Sequence, residues 1–120
     1  MYTTYFAKLR KLPAGVVPIA ICAKVPDWFK GLQYRKLIPP YGAFSVWKED
    51  HNDGVFSESY TEEVLKKLHP MDVYKELIQM ANTHEVALVC YEKSDSFCHR
   101  HLVAKWLNEY GFKCEEFKEG

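Results

Sequence analysis

Residues 86–91, VALVCY, constrain the fold of this chain more than any other segment, because six apolar residues follow one another without a glycine, proline or charge. A run this short and this rich in valine reads as a strand covered on both faces, the kind that occupies the centre of a parallel sheet. Parallel neighbours must be joined by crossovers that carry helices over the sheet. The expected class is therefore α/β, with a small, open, mainly parallel sheet flanked by helices in a Rossmann-like three-layer arrangement. At 120 residues the chain is about the size of one ordinary domain, and residues 1–120 are read as a single folding unit.

The rest of the sequence supplies the partners of that strand. Residues 16–24, VVPIAICAK, lie between Gly15 and Pro26 and read as a second buried strand, with Pro18 restricting its first residues to a sheet edge or to the start of the strand. Ser59 followed by Glu62 has capping-box spacing, which predicts a helix from Tyr60 to about Leu68 that His69-Pro70 ends or bends. A second helix follows, with Pro70 and Asp72 in its first turn and Val73, Leu77, Ile78 and Ala81 on one face. After the 86–91 strand, a short polar stretch at residues 92–95 leads to a helical stripe of Leu102, Val103, Trp106, Leu107 and Tyr110. Gly111 serves as its C-cap, and residues 112–117 (FKCEEF) are a last strand. This β, α, β end of the chain predicts a right-handed crossover. Between the first two strands, residues 27–54 form a long excursion rich in Gly and Pro but also in aromatics. It is expected to pack on the sheet, with a short helix near residues 30–37.

Charge and cysteine content exclude several broad roles. Sixteen Lys and Arg balance sixteen Asp and Glu, which argues against non-specific nucleic-acid or membrane-surface binding. No apolar signal core stands at the N-terminus and no window has the roughly 18 apolar residues of a membrane span, so a cytoplasmic protein is expected. Without a secretory signal, Cys22, Cys90, Cys98 and Cys114 read as reduced thiols rather than a disulfide framework. Cys22 and Cys114 sit in apolar or alternating runs and read as small core residues.

The candidate chemistry lies where the central strand turns into a helix. In open α/β sheets ligands bind at the carboxyl ends of strands, and a following helix presents free N–H groups to an anion. Cys90 and Glu92 end the strand, while Cys98, His99, Arg100 and His101 fall in the first turn of the helix. Cys90 reads as the floor of such a site. Glu92 is either a general base or a solvated partner of Lys93 or Arg100. Cys98 is either packed or a thiolate with a lowered pKa. Arg100 offers a planar fork for phosphate or carboxylate, or else a structural ion pair. His99 and His101, two apart on a helix, point to different faces.

Common signatures do not account for these residues. Cysteine-dependent phosphatases place the thiolate five residues before an arginine, whereas here Cys90 is ten before Arg100 and Cys98 only two. A rhodanese-like loop fails on the same spacing. A zinc site from Cys90, Cys98, His99 and His101 is chemically acceptable but lacks a CxxC knuckle, so no metal or other cofactor is expected. There is no P-loop, GxGxxG or GxSxG.

The segment LVCYEKSDSFCHRHLVAKWL, residues 88–107, resembles the C-terminal signature of the DUF488 family, a strand ending in CYEK followed by a CHR helix start. Tyr5-Phe6 with Lys8-Leu9, Pro18-Ile19, and Pro26-Asp27-Trp28-Phe29-Lys30-Gly31 with Tyr34 and Leu37 extend the likeness over most of the chain. It is weakest over residues 41–53, where this chain is short. The resemblance implies a compact α/β fold and a pocket using Glu92, Cys98, His99 and Arg100, with Trp28 and Lys30 contributing from the first half. It implies no particular reaction. Two functions follow as expectations. One is a small enzyme or binding domain for a phosphate-bearing, nucleotide-like ligand held by Arg100, with Glu92 as base or hydroxyl acceptor and Cys98 as thiolate. The other is a non-catalytic interaction module that uses the aromatics Trp28, Phe29, Tyr34, Tyr41 and Trp47. The oligomeric state is not legible.

Overall fold

A computed structural model describes residues 1–39, 53–91 and 98–118. Its strands are β1 (Tyr2–Tyr5), β2 (Val17–Ala20), β3 (Leu32–Gln33), β4 (Val86–Cys90) and β5 (Glu115–Glu116). Its helices are α1 (Asp53–Glu63), α2 (Pro70–Ala81) and α3 (His99–Tyr110), with 3-10 turns at Phe6–Lys11, Arg35–Leu37 and Leu65–Lys67. The strands form one sheet in the order β3-β2-β4-β1-β5, and every pairing is parallel. β4 is the middle strand and all five of its residues are buried, which is what its uninterrupted apolar sequence requires.

Pro18 sits in β2 without breaking a ladder. Val17 and Ile21 donate their N–H groups to Glu85 O and Val89 O on the β4 side. The alternate residue, Pro18, therefore faces the other side, where β3 begins only opposite Ile19. The missing N–H has no acceptor to lose.

The pleat divides the sheet into two unequal faces. Ile19, Ile21, Val86, Leu88 and Cys90 join Val73 and Leu77 of α2, Val103 and Leu107 of α3, and Phe56 and Tyr60 of α1 in one large cluster. On the opposite face Ala20 and Val89 pack against Phe6 and Phe29, so the 3-10 turn and the segment after β2 form a thinner third layer. Each fully buried Leu, Ile or Val contributes about 1.5–3 kcal/mol, and most of that burial lies on the helical face.

Several elements differ from the sequence expectations, each for a local reason. β1 is not foreseen, because four residues of YTTY carry no apolar run; pairing with both β4 and β5 makes them a strand. Residues 30–37 form β3 and a 3-10 turn instead of a helix. α1 starts at Asp53, so Ser59 lies inside the helix and caps nothing. Gly54, Ser57 and Ser59 weaken its intrinsic helix preference, and packing compensates: Phe56 and Tyr60 are buried, and the Tyr60 hydroxyl donates to Leu37 O at 2.6 Å. Of the long excursion, Tyr41, Phe44 and Trp47 lie outside the described residues.

Other expectations are met. Pro70 opens α2, and the Met71 N–H donates to Nδ1 of the N-cap His69 at 3.1 Å. Gly111 caps α3 with φ +105°, a conformation that other residues adopt only with strain. β5 follows α3 but pairs with β1, which stands between it and β4. Among the described residues no helix is long and apolar enough to cross a membrane.

Candidate functional site

Strand order places a topological switch point, where open parallel sheets form a crevice, beside the end of β4. The chain leaves β2 toward β3 at one edge, and leaves the adjacent β4 through α3 toward β5 at the other. Neighbouring parallel strands whose connections diverge open a gap at their carboxyl ends. Cys90 is the last residue of β4, Cys98 is the N-cap of α3 in extended conformation, and His99 begins the helix. All three are buried, and their ligand-type atoms lie within 4.8 Å of one another.

His99 is held by a main-chain contact that fixes its tautomer. Its Nε2 lies 2.6 Å from Ile21 O, just past the end of β2. A carbonyl only accepts, so Nε2 carries the proton, and in the neutral ring Nδ1 keeps the lone pair. Nδ1 is 3.8 Å from Cys98 Sγ and 3.9 Å from Cys90 Sγ, and Nε2 is 3.6 Å from Cys90 Sγ. The Tyr60 ring stands 5.4 Å from the imidazole and closes the side toward α1.

The two thiols are pushed in opposite directions. Cys98 is held below the ordinary thiol range, first by a hydrogen bond from Cys90 and then by contact with His99, against the opposing effect of burial. Cys90 is raised well above that range by burial and by its bond to Cys98. A third thiol is close enough to respond. Cys22 is pushed up to about 11 by burial and then by the nearby Cys98, and its Sγ donates to Lys24 O at 3.2 Å. Cys22 is partly buried and packs against both core clusters, while Cys114 is buried.

Arg100 is bonded on the side of the β1 and β5 edge, while its charge still acts on Cys98 and Cys90. It is fully buried, and its Nε and Nη2 donate to Glu116 Oε1 and Oε2 at 3.1 and 3.0 Å. The Thr3 hydroxyl donates to the same carboxylate at 2.7 Å, and the guanidinium carbon lies 5.7 Å from the Tyr5 ring centroid. Nη1 is buried without an acceptor among the described residues. The ion pair of Arg100 is therefore with Glu116. Glu92, the partner considered from sequence, lies outside the described residues. His101 turns toward Glu116, with Nδ1 at 4.0 Å, so the two histidines do point to different faces.

The residues expected from the first half of the chain stand on the other side of the sheet. Trp28 is 61% exposed and meets Phe6 and Phe29 edge-on, while Tyr91, 46% exposed, tilts against Phe6 at 4.9 Å. Lys30 is exposed. Phe29 and Tyr34 are buried, so they are core residues rather than members of an exposed aromatic surface; the Tyr34 hydroxyl bonds Glu76 at 2.6 Å. Tyr41 and Trp47 lie outside the described residues.

Sequence reasoning thus finds Cys90, Cys98 and His99, which the fold brings together, and misses Ile21, Cys22 and Tyr60. Ile21 and Cys22 had a usable signal, since they end the 16–24 run as Cys90 ends the 86–91 run. Tyr60 and Glu116 had none.

A family model described as the active DUF488-N3 subclade, DUF488-N3a, matches residues 7–111. No curated protein and no solved structure matches the chain. The match spans well over half of the sequence, and the chain belongs to the DUF488 family.

Proposed function

For this member of the DUF488 family we propose a small enzyme that binds a phosphate-bearing, nucleotide-like ligand at the crevice and uses Cys98 as its nucleophile. The observation that carries this reading is the contact between the Cys98 thiol and His99, whose Nδ1 is left facing the sulfur because Ile21 O occupies Nε2. A thiol beside an oriented imidazole, at the start of a helix, is the arrangement that activates cysteine for attack. In the step, the thiol proton passes to Nδ1 and sulfur bonds the electrophilic centre. The leaving group then departs with the proton that Nδ1 returns. Cys90 donates to the thiolate from the floor of the site. Glu92, on the neighbouring segment of sequence, is the second proton acceptor in this reading.

Two features support an anionic ligand with a planar group that spans the carboxyl edge of the sheet. The first turn of α3 directs main-chain N–H groups to the crevice, and Trp28 and Tyr91, on the opposite face, offer exposed rings. Lys30, exposed two residues from Trp28, supplies a further cation for phosphate. The subclade's description as active accords with an enzyme. Such chemistry needs reduced thiols, which fits the cytoplasm; all four cysteines are free.

Thermal shift of the full chain against inorganic phosphate, sugar phosphates and mononucleotides tests the ligand. A ligand at 100 times its Kd adds about 2.7 kcal/mol of stability, and Trp28→Ala is expected to weaken nucleotide binding by about tenfold if a base stacks there. No shift with any phosphate compound overturns the ligand reading. Alkylation followed by peptide mass analysis tests the nucleophile, which fails if Cys98 reacts no faster than Cys114. The interaction-module reading keeps only Trp28 among the described residues. It gains ground if Trp28→Ala changes the sedimentation behaviour and no phosphate compound binds.

A further inference from the structure

We propose that Cys90, Cys98 and His99 also form a binding site for one thiophilic metal ion of the Zn²⁺ class, with no fourth protein ligand among the described residues. The site does not depend on the nucleotide-enzyme reading and goes beyond it.

Tetrahedral zinc with Zn–S of about 2.3 Å and Zn–N of about 2.0–2.1 Å has sulfur–nitrogen edges of about 3.6 Å. Here Nδ1 of His99 stands 3.8 Å from one sulfur and 3.9 Å from the other. The two sulfur–nitrogen edges need to close by only a few tenths of an ångström, and all three ligand atoms lie within 4.8 Å of one another. The choice of nitrogen is already made, since Nε2 donates to Ile21 O, and a ligating histidine characteristically gives its other N–H to a carbonyl or carboxylate. Cys90 Sγ stands 3.6 Å from Nε2 and 3.9 Å from Nδ1, so binding requires it to swing toward the Nδ1 lone pair.

The scaffold keeps the ligands in place. Cys90 ends the most buried strand of the sheet, and Cys98 and His99 start a helix packed on it. Charge also balances on binding: Zn²⁺ displaces one proton from each thiol, giving a neutral Zn(Cys)₂(His) unit in a buried place where two bare thiolates would repel. His101, the fourth ligand suggested by the sequence, is turned toward Glu116, and the Cys22 sulfur toward Lys24 O. Three protein ligands among the described residues, with one position unfilled by them, match the catalytic rather than the structural zinc pattern. A bound ion would engage the Cys98 lone pair and so mask the nucleophile, while that position would accept water or an anionic oxygen.

The test uses the full chain stripped with a chelator and titrated with Co²⁺. Expected are one equivalent bound, a thiolate-to-cobalt charge-transfer band, the visible bands of tetrahedral Co²⁺, and displacement of all of them by Zn²⁺. Cys114→Ser should keep this spectrum. Cys90→Ser, Cys98→Ser and His99→Asn should each weaken Co²⁺ binding by at least about tenfold. Because a core variant can misfold, the same question is put to the wild type by mass analysis: Zn²⁺ should protect Cys90 and Cys98 from N-ethylmaleimide, and a chelator should restore their reaction. The proposal falls if no charge-transfer band forms, if Cys98→Ser keeps it, or if Zn²⁺ leaves Cys98 alkylation unchanged. Fast alkylation of Cys98 in metal-free protein together with a silent Co²⁺ titration would sink the metal site and leave the nucleophile standing.

Discussion

His99 and Arg100 are consecutive in sequence, both buried and both in the first turn of α3, yet they serve opposite halves of the sheet. Arg100 reaches the β1 and β5 edge, where Glu116 accepts two of its N–H groups at ordinary distances and Thr3 completes the carboxylate. His99 reaches the β2 and β4 crevice, where one nitrogen is tied to Ile21 O and the other faces two sulfurs at 3.8 and 3.9 Å, too long for strong bonds. Two charge-assisted bonds to a shared carboxylate make Arg100 a fastening even though Nη1 has no acceptor among the described residues, whereas His99 meets its sulfurs only through long contacts. One helix turn thus carries a fastening on one side and a thiol–imidazole cluster on the other.

The contrast is most exposed to disproof at Arg100. Arg100→Ala should remove about 3 kcal/mol or more from the unfolding free energy measured in urea, because it leaves the Glu116 carboxylate uncompensated at a mostly buried position. A loss below about 1 kcal/mol would mean that Arg100 is no fastening, and that its guanidinium is free for a ligand. His99→Ala should cost less, about 1–3 kcal/mol, mainly from the stranded Ile21 carbonyl, and should slow Cys98 alkylation as well. An unchanged alkylation rate would separate the imidazole from the thiol. Cys98→Ser should cost about 1 kcal/mol or less, since it makes no capping bond and changes volume little, but it should abolish the fast-reacting thiol in peptide mass analysis. If it unfolds the chain instead, Cys98 belongs with the fastenings.

The two sides of this comparison were unequally legible in the sequence. The crevice could be read because its parts are local: an apolar strand, a short polar break and a helix start put Cys90, Cys98 and His99 at one strand end by periodicity alone. The same logic gave β2, β4, α2 and α3. The Arg100 partner could not be read, because Glu116 arrives from β5 only after the whole of α3, and β5 itself is two residues long. β1 was missed for a related reason, since its four residues become a strand only through pairing with β4 and β5. The sequence places the start of α1 seven residues late because the Ser59 and Glu62 spacing matches a local motif, while the start at Asp53 rests on packing of Phe56 and Tyr60 that no local motif encodes.

A surface cluster sharpens what burial adds to an ion pair. Glu76 on α2 accepts from the Tyr34 hydroxyl at 2.6 Å and from Lys36 Nζ at 2.9 and 3.0 Å, a network as complete on paper as that of Glu116. Water surrounds it, however, with the Lys36 and Glu76 side chains 56% and 38% exposed. The Tyr34 hydroxyl and then Lys36 hold the Glu76 carboxyl below its ordinary 4.5. A group with a folded pKa below its unfolded value stabilises the protein above the unfolded value and loses that contribution as pH falls through the folded one. Tyr34→Phe should therefore reduce stability at pH 7 by no more than about 1 kcal/mol, and the difference from wild type should shrink as urea unfolding is repeated below pH 4.5. The tyrosine ring stays buried in the variant, so packing is unchanged and the hydroxyl alone is tested. A deficit as large as that of Arg100→Ala, or one that persists unchanged in acid, would show that exposure does not separate the two networks, and that Arg100 owes its expected effect to something other than its burial with Glu116.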